Sequence, residues 1–222
     1  MGKLSVCFAD GEPMIHIITA ENRRHYHHAL MEMHRQRKEV FIDQMKWRLE
    51  ESAGIEIDAY DCPEAIYLIE ASTPRAPVTG SARLLQTDRP HLLADHFRFL
   101  CDDQPPTGPD VWEATRFCPA PDTAQGQPRH DLLARIIAGI METALIFGIE
   151  RVTFVANAAL APLAAKAGWD AQPLGPARRV GRDRLTAFVA SIDQQGLKRV
   201  RQRNGIKTPV TRFLGDDVTQ AA

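Results

Sequence analysis

Glu113 and Arg116, in the run Trp112-Glu113-Ala114-Thr115-Arg116-Phe117, are the residues of this sequence best equipped for chemistry. A carboxylate can move a proton, and a guanidinium can grip an anion through paired hydrogen bonds. In a flat strand, residues three apart point to opposite faces. Only a bulge or splay at Ala114-Thr115 brings both toward one pocket. Taken alone, the hexapeptide reads more simply as a half-buried edge strand whose charges reach solvent. Further charges lie in or beside other predicted elements: Arg37, Glu56, Asp58, Asp61 and Arg83. Buried charges persist only when paired and hydrogen-bonded. The set is therefore a structural salt-bridge cluster or a polar site for a zwitterionic ligand. An amino-acid-like ligand needs carboxylates for its ammonium and an arginine for its carboxylate, and Phe41 and Trp47 offer aromatic faces.

These residues need elements to hold them. Residues 14–19 are Ile-rich and predict a buried first strand. Residues 20–40 predict a helix in which Tyr26, Leu30, Met33 and Arg37 share one face. The helix also carries His25, His27, His28 and His34. His27 and His28 face apart and no carboxylate stands at ligand spacing, so this reads as a solvated face with no metal site. Residues 41–57 show no convincing regular element. Their aromatics argue for an ordered loop that covers something. Residues 65–72 and 78–85 predict a hairpin around the Pro74–Pro77 turn, with Arg83 inside the second strand. Residues 90–99 predict a short helix burying Leu92, Leu93 and Phe97, and 111–118 a strand.

The clearest helix is 130–147, ended by Gly148. A β-branched strand follows at 151–156. Asn157 is placed to cap a helix at 158–167, which Gly168-Trp169 stops. Late strands at 171–174 and 185–192 and a last helix at 194–203 complete the order. The order predicts one mixed α/β layered domain over 14–213, with an extension at 1–13 and a tail at 214–222.

The totals narrow the function. The chain has 222 residues, is 44% hydrophobic and has a net charge of −1. No apolar run spans a bilayer, and no global charge draws the chain to nucleic acid or membrane. Charge is nevertheless uneven. Ten basic residues lie between Arg178 and Arg212, opposed only by Asp183 and Asp193. Cys7, Cys62, Cys101 and Cys118 form no C-x-x-C pair, which suits free thiols in a reducing compartment. No signal peptide is evident, and Val6 breaks a myristoylation motif. Together these features predict a cytoplasmic protein. Glycine-rich nucleotide fingerprints, P-loops and nucleophile elbows are absent.

One longer pattern stands out. Arg37-x-x-Val40-Phe41, Trp47, Glu56-x-Asp58-x-Tyr60-Asp61, Gly80-Ser81-Ala82-Arg83-Leu84-Leu85, Phe97 and Trp112-Glu113-x-x-Arg116-Phe117 follow in order. The sequence thereby resembles the acyl-homoserine-lactone synthases, the bacterial autoinducer synthases of quorum sensing. The resemblance runs from about Met14 to Trp169. It implies a GNAT-like three-layer fold: a mixed, twisted sheet with a V-shaped splay and helices on both faces. It also implies a reaction in which S-adenosylmethionine is acylated on its α-amine by an acyl thioester. The methionyl carboxylate then closes the lactone and expels methylthioadenosine. Both reactants are substrates, so no cofactor is implied.

The residue chemistry fits that reaction. Glu113 is the candidate general base, which requires burial to raise its pKa. Asp58 and Asp61 are expected to orient the ammonium and offset the sulfonium charge, with Arg83 and Arg116 holding those carboxylates in place. Arg37, Phe41, Trp47, Glu56, Asp61 and Arg116 complete the expected S-adenosylmethionine site. Asp61 is expected beside Asp58, and both are expected to partner Arg116. A salt bridge from Arg37 to Glu56 or Asp61 is an equal alternative for Arg37. Backbone donors near Thr115 and Phe117 are expected to receive the oxyanion. Phe97, Phe154 and Trp169 are expected to line the acyl pocket.

Two departures bear on the acyl donor, which is acyl-CoA or acyl-carrier protein. Residues 160–167 carry only Lys166 as a basic residue, a poor docking surface for an acidic carrier protein. Phe154 stands where 3-oxo-preferring members tend to have threonine, although a one-residue slip would place Thr153 there. Acyl-CoA and a short, branched or aryl chain are therefore favoured. The basic C-terminal region suits CoA phosphates or a solvated helix equally. Two rival readings are a GNAT acyltransferase for another amine and a non-catalytic ligand-binding relative.

Overall fold

The computed structural model describes residues 11–157 and 160–215. The expected N-terminal extension and C-terminal tail lie largely outside them, as do Cys7 and the expected start of the 158–167 helix. Nine strands form one mixed sheet in the order β11-β1-β4-β5-β6-β7-β10-β8, with β9 beside β10. The strands are β1 (Met14–Ile18), β4 (Ile66–Ala71), β5 (Gly80–Gln86), β6 (Val111–Pro119), β7 (Arg151–Asn157), β8 (Ala171–Pro173), β9 (Arg178–Val180), β10 (Asp183–Ser191) and β11 (Thr211–Arg212). A two-stranded hairpin, β2 (Glu51–Ser52) with β3 (Ile55–Glu56), stands apart.

Helices cover both faces. α3 (Gln127–Phe147) lies on one face with α4 (Leu160–Lys166) and α5 (Gln194–Arg203). Ile15, Ile17, Leu68, Leu84, Trp112 and Val152 meet the apolar stripe of α3 in the largest core. On the other face, α1 (His27–Arg37) and the turn before it pack Tyr26, Ala29 and Met33 against Ile18, Tyr67, Ile69 and Leu85. The short α2 (Leu92–His96) adds Leu93 to a smaller cluster with Leu100 and Ala187. The expected three-layer arrangement is present. Among the described residues, no helix is long and apolar enough to cross a membrane.

Several local expectations need correction. The first helix begins as a 3-10 turn at Arg23–Tyr26 and continues past Arg37 as a π-helical turn over Lys38–Gln44. Met45 N–H bonds Val40 C=O, five residues back, at 2.9 Å. Phe41 is therefore helical and buried rather than in a loop. The supposed loop also contains the β2–β3 hairpin, whose turn residues Ala53 and Gly54 have φ of 51° and 79°. Paired positive φ values match the twist of a two-residue hairpin, but a non-Gly residue at the first position hides the signal. Of the four histidines, His34 is not solvated. It is buried, with Nδ1 2.9 Å from the Glu56 carbonyl oxygen. Burial, then the nearby Arg37 charge, lowers its pKa. Strands β9 and β11 were not expected.

Gly148 ends α3 in the left-handed conformation, φ 70°, as expected. Asn157 Oδ1 accepts the Leu160 N–H at 3.0 Å, the expected cap. Cys62, Cys101 and Cys118 are free thiols.

Candidate active site

The site is built where β6 leaves its neighbours. Along β7 the parallel ladder runs from Val111↔Arg151 to Ala114↔Phe154 and stops. The strands splay from Thr115 onward, at the place the sequence required. The bulge lies slightly further along. Arg83 pairs Thr115 and Ser81 pairs Cys118, so Arg116 and Phe117 together face Ala82. Arg116 takes φ +53°, a left-handed conformation uncommon outside glycine. Alternation puts Glu113 and Thr115 on one face, and this reversal turns Arg116 onto that face too. Phe117 packs against the α3-side core.

Three arginines and three carboxylates close a ring there. Arg37, the last residue of α1, donates to both Asp61 oxygens at 2.8 and 2.9 Å, and to Glu56. Glu56 accepts from Arg116 Nη2 at 2.9 Å. Arg116 Nη2 also reaches Asp58 at 2.6 Å. Asp58 takes a two-point grip from Arg83 at 2.6 and 3.0 Å. Arg83 Nη1 returns to Asp61 at 2.8 Å. Each carboxylate thus bridges two arginines, and each arginine bridges two carboxylates. Such pairing is what makes burial of so many charges tolerable. The expected pairing of Arg116 with Asp58 is present, but Asp61 instead joins Arg37 and Arg83. The alternative role of Arg37, a salt bridge to Glu56 or Asp61, is realised with both.

The ring has a closed side and an open side. The side chains of Arg37, Arg83, Glu56 and Asp61 are at most 3% exposed, whereas Asp58 is 19% and Arg116 8% exposed. Burial pushes the Asp61 pKa up. The hydrogen bond and charge of Arg37, with the Arg83 charge, outweigh burial and hold it well below the usual carboxylate range. Ligand contact is available at the Asp58–Arg116 edge. Arg37, Glu56 and Asp61 stand behind it as supports.

Glu113 differs from the ring carboxylates. It is 1% exposed, and its Oε2 has no hydrogen-bond partner. Burial pushes its pKa up to about 7, moderated by the Leu93 and Leu92 backbone N–H groups and the Arg83 and Arg116 charges. Thr115 Oγ1 accepts from Arg83 Nε at 3.1 Å, fixing the arginine over the splay. Trp112 is buried on the opposite face near Phe147, a packing residue.

The aromatic expectations divide. Phe41 and Trp47 stack on each other at 5.0 Å, and the Arg116 guanidinium lies 5.8 Å from the Phe41 ring. They form a wall beside the open edge. Phe154 stacks between Trp169 at 4.6 Å and Phe188 at 5.2 Å, on the α3 side at the vertex of the splay. Phe97 does not join them. It packs with Leu93, Leu100 and Val155 on the other face. Strand alternation sends Phe154 and Val155 to opposite sides, so one pocket wall cannot hold Phe97 beside Phe154.

Some participants lacked an assigned role in the sequence. Tyr67 Oη donates to Asp61 at 2.8 Å. Its signal was the hairpin register, which pairs it with Arg83. Tyr60 Oη donates to Asp95 at 2.9 Å, and its ring lies 5.9 Å from the Arg83 guanidinium. A cleft of about 400 Å³ opens outside this contact, walled by Tyr60, Leu85, Arg89 and Asp95. Neither Glu113 nor the ring lines it.

Comparison with known proteins agrees with this geometry. The autoinducer synthase family model matches residues 21–200. The acyl-homoserine-lactone synthase of Rhizobium etli is 32% identical over 168 residues, 74% of this chain and 78% of its own. The isovaleryl-homoserine lactone synthase of Bradyrhizobium diazoefficiens is 29% identical over 199 residues, 89% of this chain and 88% of its own. Among solved structures, the CoA-dependent acyl-homoserine lactone synthase BjaI, with SAM and isopentyl-CoA, superposes with a TM-score of 0.82. It is 28% identical, over 91% of this chain and 94% of that one. The layered fold is GNAT-like.

Proposed function

This chain belongs to the autoinducer synthase family, and we propose that it makes an acyl-homoserine lactone from S-adenosylmethionine and a short, branched or aryl acyl-CoA. The acyltransferase activity follows from the family. The donor and the residue roles are our reading. Glu113 carries it: a buried carboxyl with a free oxygen and a pKa of about 7, on the same sheet face as the accessible Asp58–Arg116 edge.

In this reading Asp58 orients the substrate ammonium, and Arg116 meets the methionyl carboxylate. Phe41 and Trp47 flank the sulfonium, where cation–π attraction contributes about 0.5–2 kcal/mol. Glu113 takes one ammonium proton, directly or through water. A carboxyl near pH 7 suits this, since it is partly ionised yet basic enough to accept. The freed amine attacks the thioester carbonyl, and backbone donors at Thr115 and Phe117 receive the oxyanion. The carbon–sulfur bond breaks, and the thiolate leaves and takes up a proton. The methionyl carboxylate then attacks its own γ-carbon, and the sulfonium departs as methylthioadenosine. Phe154 and Trp169 wall the acyl chain at the splay, while Phe97 approaches from the other sheet face.

Two observations favour acyl-CoA over acyl-carrier protein. The similar solved synthase BjaI is CoA-dependent, and α4 carries Lys166 as its one basic residue. The test is incubation with S-adenosylmethionine and panels of acyl-CoAs and acyl-carrier proteins, read by mass spectrometry. The expected products are acyl-homoserine lactone and methylthioadenosine, with CoA donors fastest. An acylated amine without methylthioadenosine would point to a different acyltransferase. Binding without turnover for every donor would leave a non-catalytic relative.

A further inference from the structure

We propose that Tyr60 is a positioning residue, whose hydroxyl clamps the turn bearing Asp58 to helix α2, which seats Glu113. This rests on the synthase reading. The turn is held from within: Asp58 N–H donates to Asp61 Oδ2 at 2.8 Å, and Tyr60 N–H donates to Asp58 Oδ1 at 2.9 Å. Asp58 is thus fixed relative to the Tyr60 backbone. Glu113, on β6, lies against α2, with the Leu93 and Leu92 N–H groups beside its carboxylate. Among the side-chain hydrogen bonds of these residues, Tyr60 Oη to Asp95 Oδ2, at 2.9 Å, joins the two units.

The rest of Tyr60 supports the same role. Its ring lies 5.9 Å from the Arg83 guanidinium on one side and 6.0 Å, edge-on, from His96 of α2 on another. It therefore spans from the ring arginine that grips Asp58 to the helix above Glu113. Arg83 and Arg116 already hold Asp58 against the strand that carries Glu113, and the phenolic hydrogen bond adds a second tie, through α2, to the distance between the group that orients the ammonium and the group that deprotonates it. Reaction rate is steep in that distance. α2 has five residues and little cohesion of its own, so an external tie matters. Tyr60 and Asp95 both line the outer cleft, and Glu113 does not.

The test uses Tyr60→Phe, Asp95→Ala, Asp95→Asn and the Tyr60→Phe/Asp95→Ala pair in the full chain. Tyr60→Phe keeps the ring and its packing. The clamp predicts that Tyr60→Phe lowers kcat roughly tenfold, with KM for S-adenosylmethionine and Tm little changed. Asp95→Ala should match it, and the double variant should be no slower than either single one. Asp95→Asn keeps an acceptor oxygen for the hydroxyl and should restore most of kcat. Hydrogen exchange at the Leu93 amide should quicken in Tyr60→Phe and Asp95→Ala but not in Asp95→Asn. Wild-type kcat in Tyr60→Phe, multiplying losses in the double variant, or a change in KM alone overturns the clamp. The exchange arm needs no turnover. If the wild type makes no lactone the function reading fails, whereas unchanged Leu93 exchange overturns the clamp itself.

Discussion

Glu113→Gln separates binding from turnover. The amide keeps the volume and an acceptor oxygen beside the α2 N–H groups, but it cannot take a proton. We expect S-adenosylmethionine affinity to be largely retained and turnover to fall roughly a hundredfold or more. In the wild type, kcat/KM for S-adenosylmethionine should rise with pH through about 7 as Glu113 of the free protein ionises, and that limb should vanish in the variant. Stability should move the other way. Below pH 4.5 the carboxyl is protonated in both folded and unfolded chains and contributes nothing. Between 4.5 and 7 the unfolded chain releases its proton while the folded one keeps it, so the fold loses stability as pH rises. Above 7 the loss is complete, roughly 3 kcal/mol. Chemical denaturation at pH 8 should therefore find Glu113→Gln more stable than wild type, with the difference disappearing near pH 4. Equal stability at both would show that Glu113 is not desolvated. At this scale the sequence was informative about types and partners, because a buried arginine needs carboxylates and few were available. It did not indicate that Arg116 turns left-handed. Nothing in an arginine's side chain marks a positive φ as a glycine would.

Elements decide what those residues can reach. Strand β6 pairs β7 only up to Ala114↔Phe154, so Phe154 is the last side chain before the opening. Its stack between Trp169 and Phe188 fills the vertex on the α3 side. Phe154→Ala should open space there and shift the donor preference toward longer or bulkier acyl-CoAs, measured as relative kcat/KM across a chain-length series. An unmoved profile would remove Phe154 from the pocket. The variant should also cost about 3–5 kcal/mol of stability, since a buried ring stacked on two others is lost. The splay itself was legible, because two charges three residues apart could not otherwise serve one pocket. The π-helical turn was not. Residues 38–44 have ordinary helical composition, and a one-residue widening of a turn leaves no period in so short a segment. Phe97 was misplaced relative to Phe154 for a related reason. The motif gives order along the chain, while the sheet's two faces depend on register.

For the molecule as a whole, layers and connections were readable because hydrophobic periodicity marks each long element. The late, short strands β9 and β11 lacked that signal. They are two or three residues long and bear exposed or half-buried arginines and threonine. Charge distribution carries a further consequence. Arg37, Arg83 and Arg116 cancel Glu56, Asp58 and Asp61 one for one around the closed ring, so the ring is electrically neutral. Glu113 is then the odd charge of the site, present or absent according to one proton. S-adenosylmethionine brings a sulfonium, an ammonium and a carboxylate, a net single positive charge. On the proposed reading, its arrival beside a neutral ring should favour the ionised form of Glu113 and so drive a proton out into the buffer. Calorimetric binding titrations near pH 7 should therefore give apparent enthalpies that vary with the ionisation heat of the buffer, and Glu113→Gln should abolish that variation. In the proposed reaction, the substrate by binding would ready the base that acts on it.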